Sequence, residues 1–170
     1  MNGSDMHAAS VGVFSAMLGN VPGWLDKAAA HAGAGKFDMG VLFASRLAPD
    51  MFPLTTQVHF ATAFAKNAAT RLSGRAPPDF GELSPTLEAV RARIADTQAI
   101  LTSVKPADLD GASTRELTIQ TGPDQRMTLS GADYLHRFAM PQFYFHVTTA
   151  YAILRENGVP LGKRDFLGGG

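Results

Sequence analysis

Five histidines, His7, His31, His59, His136 and His146, are the side chains of this sequence that change charge near neutral pH, and no cysteine accompanies them. Without thiols there are no disulfides, thiolate zinc sites, iron–sulfur clusters or cysteine nucleophiles. Imidazole, carboxylate, hydroxyl, amide and amine are left to carry any chemistry. No two of the histidines stand three or four residues apart, so no single helical turn offers a metal two imidazoles. A metal site would have to draw on several helices. The nucleophile-elbow motif G-x-S-x-G and the zinc-protease motif H-E-x-x-H are both absent. Gly158-Val-Pro-Leu-Gly162-Lys163 is one residue short of a phosphate loop and is followed by Arg164 instead of Ser or Thr. Asp133-x-x-His136 is the nearest approach to the Glu-x-x-His of di-iron bundles, and Asp133 has a competing role in helix capping.

Helical phase says where the remaining polar groups point. At ~100° per residue, Leu135, Phe138, Ala139, Gln142, His146, Thr149, Ala150 and Ile153 share one face of the last helix. His146 and Gln142, one turn apart, therefore aim inward. On the second main helix Gln57 borders the stripe of Leu54, Val58, Ala61 and Phe64. His59 is rotated by roughly 200° from Gln57 and shares with Thr55, Thr62 and Lys66 a face that reads as solvated. The inward polar set is thus Gln57, Gln142 and His146, with His7, beside Phe14 and Leu18, as a further member and Phe138 on the same wall. Such a set is either a satisfied hydrogen-bond network or a ligand or metal site. Glutamine is a poor transition-metal ligand, so one imidazole and two amides would hold zinc or nickel weakly. Phe143, Tyr144 and Phe145 span about 200° of helix surface and cannot all face one core. Either the hairpin and first helix wrap the last helix, or part of it lies in the interface of a homodimer.

The elements that must position these residues follow from periodicity and punctuation. A first helix is expected over Asp5–Ala32, capped by Ser4 or Asp5, kinked or split at Pro22 and closed by Gly33 and Gly35. A short helix covers Asp38–Ala48. Asp50 then caps the second main helix, with Pro53 in its first turn, and Arg46 is placed to pair with Asp50. This helix runs to Leu72, and Arg75–Leu83 is a loop. Ser84-Pro85 opens the third helix, which ends near Lys105-Pro106. Residues 115–120 and 126–129 alternate as the strands of a hairpin turning at Thr121-Gly122-Pro123-Asp124. Ser130, with Asp133 three residues on, opens the last helix, kinked at Pro141 and ending near Asn157. Four long helices and a small hairpin make an all-α bundle in a single domain, 1–170.

Composition agrees. The 170 residues are 45% hydrophobic and 18% charged, enough for a packed core and unlike a disordered chain. The 15 basic and 15 acidic side chains balance, which argues against a nucleic-acid partner. No stretch approaches the ~20 apolar residues of a membrane span, and the N-terminus lacks the pattern of a secretory leader, so a soluble cytoplasmic protein is expected. The last three glycines read as an unpacked tail.

Two stretches carry a family resemblance. Arg46-Leu-Ala-Pro-Asp-Met-Phe-Pro-Leu-Thr-Thr-Gln57-Val58 and Phe143-Tyr-Phe-His146-Val-Thr-Thr-Ala-Tyr-Ala-Ile-Leu-Arg155-Glu-Asn-Gly158-Val-Pro-Leu-Gly-Lys-Arg-Asp165-Phe166 resemble the signature of domain of unknown function 1993. That family looks like a branch of the DinB/YfiT-like metalloenzyme superfamily, and the resemblance covers essentially the whole chain. It implies a four-helix bundle of up-down-down-up type, often dimeric. Characterised relatives include thiol-dependent transferases and an isomerase using a low-molecular-weight thiol. They bind a divalent metal through one histidine on the second helix and two histidines four apart on the last.

Carried over by spacing, His146 precedes Arg155 by nine residues and takes the second position of that pair, while the first falls on Gln142. The second-helix position falls near Gln57, with His59, two residues away, as the alternative ligand. Two of the three positions then hold glutamine. The resemblance therefore implies a degenerate metal site beside a small-molecule pocket, with His146 as base or ligand-orienting donor and no assigned activity. Two other readings stand beside it. One is a zinc- or nickel-dependent transferase or hydrolase in which His59, His7 or carboxylates join His146. The other is a non-catalytic dimeric interaction protein. Arg46, Asp50 and Asp165, although in the signature stretches, are expected to be structural.

Overall fold

The structure, a computed structural model, describes residues 1–169. Its first long rod comprises α1 (Gly3–His7), a π-helical turn (Ala8–Gly12) and α2 (Val13–Gly35), without interruption. The cap lies ahead of Ser4 and Asp5. Asn2 Oδ1 accepts from the Asp5 amide at 2.9 Å while Asp5 returns a bond to the Asn2 amide, a reciprocal capping box. Pro22 does not split the rod. Val21, Trp24 and Leu25 around it are all buried, and their packing holds the helix through one missing hydrogen bond. Lys36, left-handed at φ 55°, ends it one residue beyond Gly35.

α3 (Met39–Ala44) is capped by Asp38 and is shorter than the 38–48 expectation. α4 (Leu54–Leu72) starts from Pro53 with no side-chain cap. Asp50 is thus not the cap. It lies exposed in the preceding turn, and Arg46 donates to the Met51 carbonyl instead of pairing with it. Thr86, not Ser84, caps α5 (Leu87–Ser103). After a 3-10 turn (Pro106–Leu109), β1 (Glu116–Gly122) and β2 (Gln125–Ser130) form an antiparallel hairpin with Leu117 opposite Leu129. The buried Ile119 anchors it to the bundle.

Ser130 caps the last rod, accepting from the Asp133 amide at 3.1 Å as the spacing predicts. α6 (Gly131–Asp133), a π-helical stretch (Tyr134–Ala139) and α7 (Met140–Glu156) are continuous. Pro141 falls in the first turn of α7, where the ladder passes from π to α register, so the helix runs on. α8 (Lys163–Leu167) docks on α2, and the Trp24 indole donates to the Asp165 carbonyl at 2.9 Å. Of the glycine tail, Gly168 adopts φ 80° and closes α8, Gly169 returns its amide to Arg164, and Gly170 lies outside the described residues.

α4 lies between α5 and α7 and is covered on both sides. The face of Thr55, Thr62 and Lys66 that the sequence presents as solvated is therefore buried. The Thr62 hydroxyl donates back to the Val58 carbonyl at 2.9 Å, and Thr55 donates to the Phe43 carbonyl at 3.1 Å. Phe143 packs edge-on against Phe14, 4.8 Å between centroids, so the first rod does cover that part of α7, while Tyr144 and Phe145 stay exposed. Among the described residues no helix is long and apolar enough to cross a membrane.

Candidate functional site

Side-by-side packing of α4 and α7 brings His146 against Gln57. Both are buried, at 6% and 1% exposure. His146 Nδ1 lies 2.8 Å from Gln57 Oε1, and Gln57 Nε2 donates to the Phe52 carbonyl at 3.0 Å. A carbonyl only accepts, so Phe52 fixes which way the amide points. Its oxygen then faces the imidazole, and Nδ1 must carry the ring proton. Nε2 is left with a bare lone pair. Among the described residues the one buried side-chain polar atom lacking a partner is Asn67 Oδ1, so the unbonded Nε2 of His146 keeps contact with solvent. Burial pushes the His146 pKa down to about 4, and the ring is neutral at pH 7.

The imidazole lies across two rings from α4, with Phe60 at 4.9 Å and 27° and Phe64 at 5.7 Å and 10°. Phe145 approaches edge-on at 5.2 Å. Phe138 belongs to the same aromatic group through Phe64, at 6.0 Å. Gln142 is half-buried one turn before His146, and no hydrogen bond joins it to His146 or Gln57. His7 lies elsewhere. Its Nε2 meets the Val104 carbonyl at 3.0 Å, and it lines a groove with Val11 and Leu101. His31 is bound to the Asn157 carbonyl and His136 is exposed.

His59 flanks Phe60, 5.3 Å between centroids, and its Nδ1 accepts from Arg93 at 3.3 Å. A cavity of about 330 Å³ opens there, lined by Thr55, Thr56, His59, Phe60, Glu82 and Leu83. Sequence reasoning missed this second cluster. Arg93 is buried on α5, and Lys66, whose polar type reads as solvated, is buried as well. The available signal was the aromatic and glycine pair Phe80-Gly81, which can fold back over charges.

The donor set does not fit a divalent ion. Among the described residues no group of three or more His, Asp or Glu is placed to hold one. His146 offers one imidazole whose second nitrogen is committed to Gln57, and an amide oxygen is a weak ligand for zinc or nickel. His59 sits beside the Arg93 guanidinium, whose charge opposes a cation at that ring.

Four long helices, a hairpin before the last rod and a polar pair between α4 and α7 define a DinB-like four-helix bundle. Within that class the chain belongs to the family described as domain of unknown function (DUF1993), whose model matches residues 6–167. It is similar to a crystal structure of a DinB family member protein from Shewanella denitrificans, at 38% identity and TM-score 0.90, over 97% of this chain and 93% of that one. No curated protein matches it.

Proposed function

We propose that this DinB-like protein works without a metal at the superfamily's position, and that His146 and Gln57 there hold a small uncharged ligand. The supporting observation is the chain from the Phe52 carbonyl through the Gln57 amide to His146 Nδ1, which leaves Nε2 as a neutral acceptor. Binding is favoured over base catalysis. A group with a pKa of about 4 is a poor general base at pH 7, where the best bases titrate near ambient pH. A matching ligand presents one O–H or N–H donor to Nε2 and a flat apolar body to Phe60, Phe64 and Phe138. A titration with phenol, followed on the His146 ring resonances, tests this, with anisole as the comparison that lacks the donor. Saturable shifts with phenol alone support the reading, and equal shifts with both or none with either overturn it. Metal content below about a tenth of an equivalent in untagged, metal-exposed protein is also required, because a functional structural or catalytic site binds far more tightly than that.

We further propose a homodimer through the exposed aromatic residues around this site. Phe52, Tyr144 and Phe145 are 51%, 37% and 56% exposed. Phe52 lies 5.4 Å from Phe60, and Phe145 edges His146, so a partner seated there would cover the His146 ring.

A further inference from the structure

Beyond Phe60, two buried cations make no ion pair, although Asp79 acts on both at longer range and Asp96 on Arg93. Lys66 and Arg93 are 6% and 8% exposed, and none of the ion pairs among the described residues includes either. Charges this deep are ordinarily paired, because desolvation costs several kcal/mol per ion. Here one loop solvates both. The Phe80, Gly81 and Glu82 carbonyls converge on Arg93 Nη2 at 2.8, 3.1 and 3.1 Å, and the Pro78 carbonyl accepts from Lys66 Nζ. The Phe80 ring covers Lys66 Nζ at 4.5 Å and Arg93 Cζ at 5.3 Å. Gly81 makes the convergence feasible. Its φ of +61° turns consecutive carbonyls toward one point, a conformation a side chain would strain.

The same segment carries Asp79 and Glu82, the carboxylates whose fields reach His59. If residues 78–82 lift away, the carbonyls and these negative charges leave together. Lys66 and Arg93 would then lose their carbonyl partners beside the cavity of Thr55, Thr56 and His59, and Asp96 on α5 would be the carboxylate left acting on Arg93. Arg93 can only donate, so His59 Nδ1 is the acceptor and His59 Nε2 carries a proton at the cavity wall. Two cations, an imidazole N–H and the Thr56 hydroxyl are donors for an oxyanion, while the Thr55 hydroxyl already donates to the Phe43 carbonyl.

We propose that Lys66, Arg93 and His59 form a binding site for a small oxyanion, a carboxylate or a phosphate, and that the carbonyls of residues 78–82 occupy it in the ligand's absence. No hydrogen bond links Lys66, Arg93 or His59 to the His146–Gln57 pair. The loop is an internal stand-in, and binding exchanges its neutral carbonyls for a charged acceptor that pairs more strongly with both cations.

The test is an NMR titration of the full chain with inorganic phosphate and with succinate, against sodium chloride at equal ionic strength. It reads the His59 ring, the Arg93 side chain and the Gly81 amide, which is held by Asp79 Oδ1 at 2.8 Å. Saturable shifts with one of the two oxyanions, together with faster hydrogen exchange at Gly81, are expected. Phosphate alone or succinate alone then identifies the class. Lys66→Met keeps the apolar stem, and with His59→Gln it should weaken the midpoint by about tenfold or more each. Equal shifts with chloride, no saturation, or saturation with the Gly81 amide still protected would overturn the proposal. So would full affinity in Lys66→Met, which also serves where Arg93→Gln fails to fold.

Discussion

His146 Nδ1 and Gln57 Oε1 stand 2.8 Å apart, and the Phe52 carbonyl behind the amide fixes the direction of that bond. Its strength and polarity can be probed separately. Gln57→Leu strands a buried imidazole N–H and the Phe52 carbonyl together, and should cost about 1–3 kcal/mol in urea melts. Gln57→Glu places a carboxylate against Nδ1. The His146 pKa should then rise from about 4 toward or beyond its ordinary 6.5, read from the ring carbon shifts across a pH series.

The same buried ring makes stability depend on pH. In the unfolded chain His146 takes up a proton near 6.5, and in the folded protein only near 4. Above 6.5 both states are neutral and the full contribution is present. As pH falls below 6.5 the unfolded state protonates first, so stability drops until about 4. Across that window the loss is of the order of 3 kcal/mol, at ~1.4 kcal/mol per unit. His146→Gln retains a donor for Gln57 and does not titrate. Its melts at about pH 7 and about pH 4.5 should differ less than those of the parent by that amount, which removes the carboxylates common to both.

Periodicity made the phases of α4 and α7 readable, and with them the meeting of Gln57 and His146. It could not say what covers the opposite face of α4. Thr55, Thr62 and Lys66 look like a solvated stripe because their types are polar, yet each hydroxyl is satisfied by a backbone carbonyl and Lys66 by the loop that follows α4 and folds back over it. The prolines show a similar gap. Pro22 and Pro141 are breakers by local chemistry, and tertiary packing and a π-to-α register change absorb them. The shift of the α4 cap from Asp50 to Pro53 belongs with these, since Arg46 chose the Met51 carbonyl over the carboxylate.

Family spacing suggests a gain-of-function test. Gln142 and His146 are one turn apart within α7, and Gln57 already reaches His146 across the helix pair. Gln57→His with Gln142→His would restore three imidazoles, the set the resemblance assigns to the superfamily. The double variant should bind zinc or nickel by calorimetry with proton release, and the parent should show no comparable heat. Equal metal uptake by parent and variant would refute the lapsed-site reading.

Gly131 tests the junction that aims the last rod. A Cβ there would lie 1.9 Å from the Ala112 carbonyl oxygen and 3.2 Å from Leu72, and the contact is backbone, which cannot swing aside. The Gly131 amide also donates to the Arg115 carbonyl at 2.8 Å, tying hairpin to helix. Gly131→Ala should destabilise by about 1–3 kcal/mol or more, as overpacking does, despite alanine's better helix propensity. Gly23→Ala, on α2 with open space around the added methyl, should be neutral or stabilising in the same thermal melts.

The exposed rings beside the dyad predict the state of assembly. Phe145 is more than half exposed although it stands on the same helix as the buried Phe143 and Val147, and Phe52 is as exposed on the turn before α4. Neither supports the fold by burial in the single chain. Phe145→Ser with Phe52→Ser should therefore leave the melting temperature of the isolated protomer within a few degrees, since exposed substitutions cost about 0.5 kcal/mol or less. In sedimentation equilibrium the same pair should convert dimer to monomer, because each apolar patch is lost twice across a two-fold interface. The His146 ring would then exchange with solvent more freely, and phenol should bind the double variant several-fold more weakly than the parent. A monomeric parent at high micromolar concentration would overturn the dimer while leaving the His146–Gln57 bond untouched.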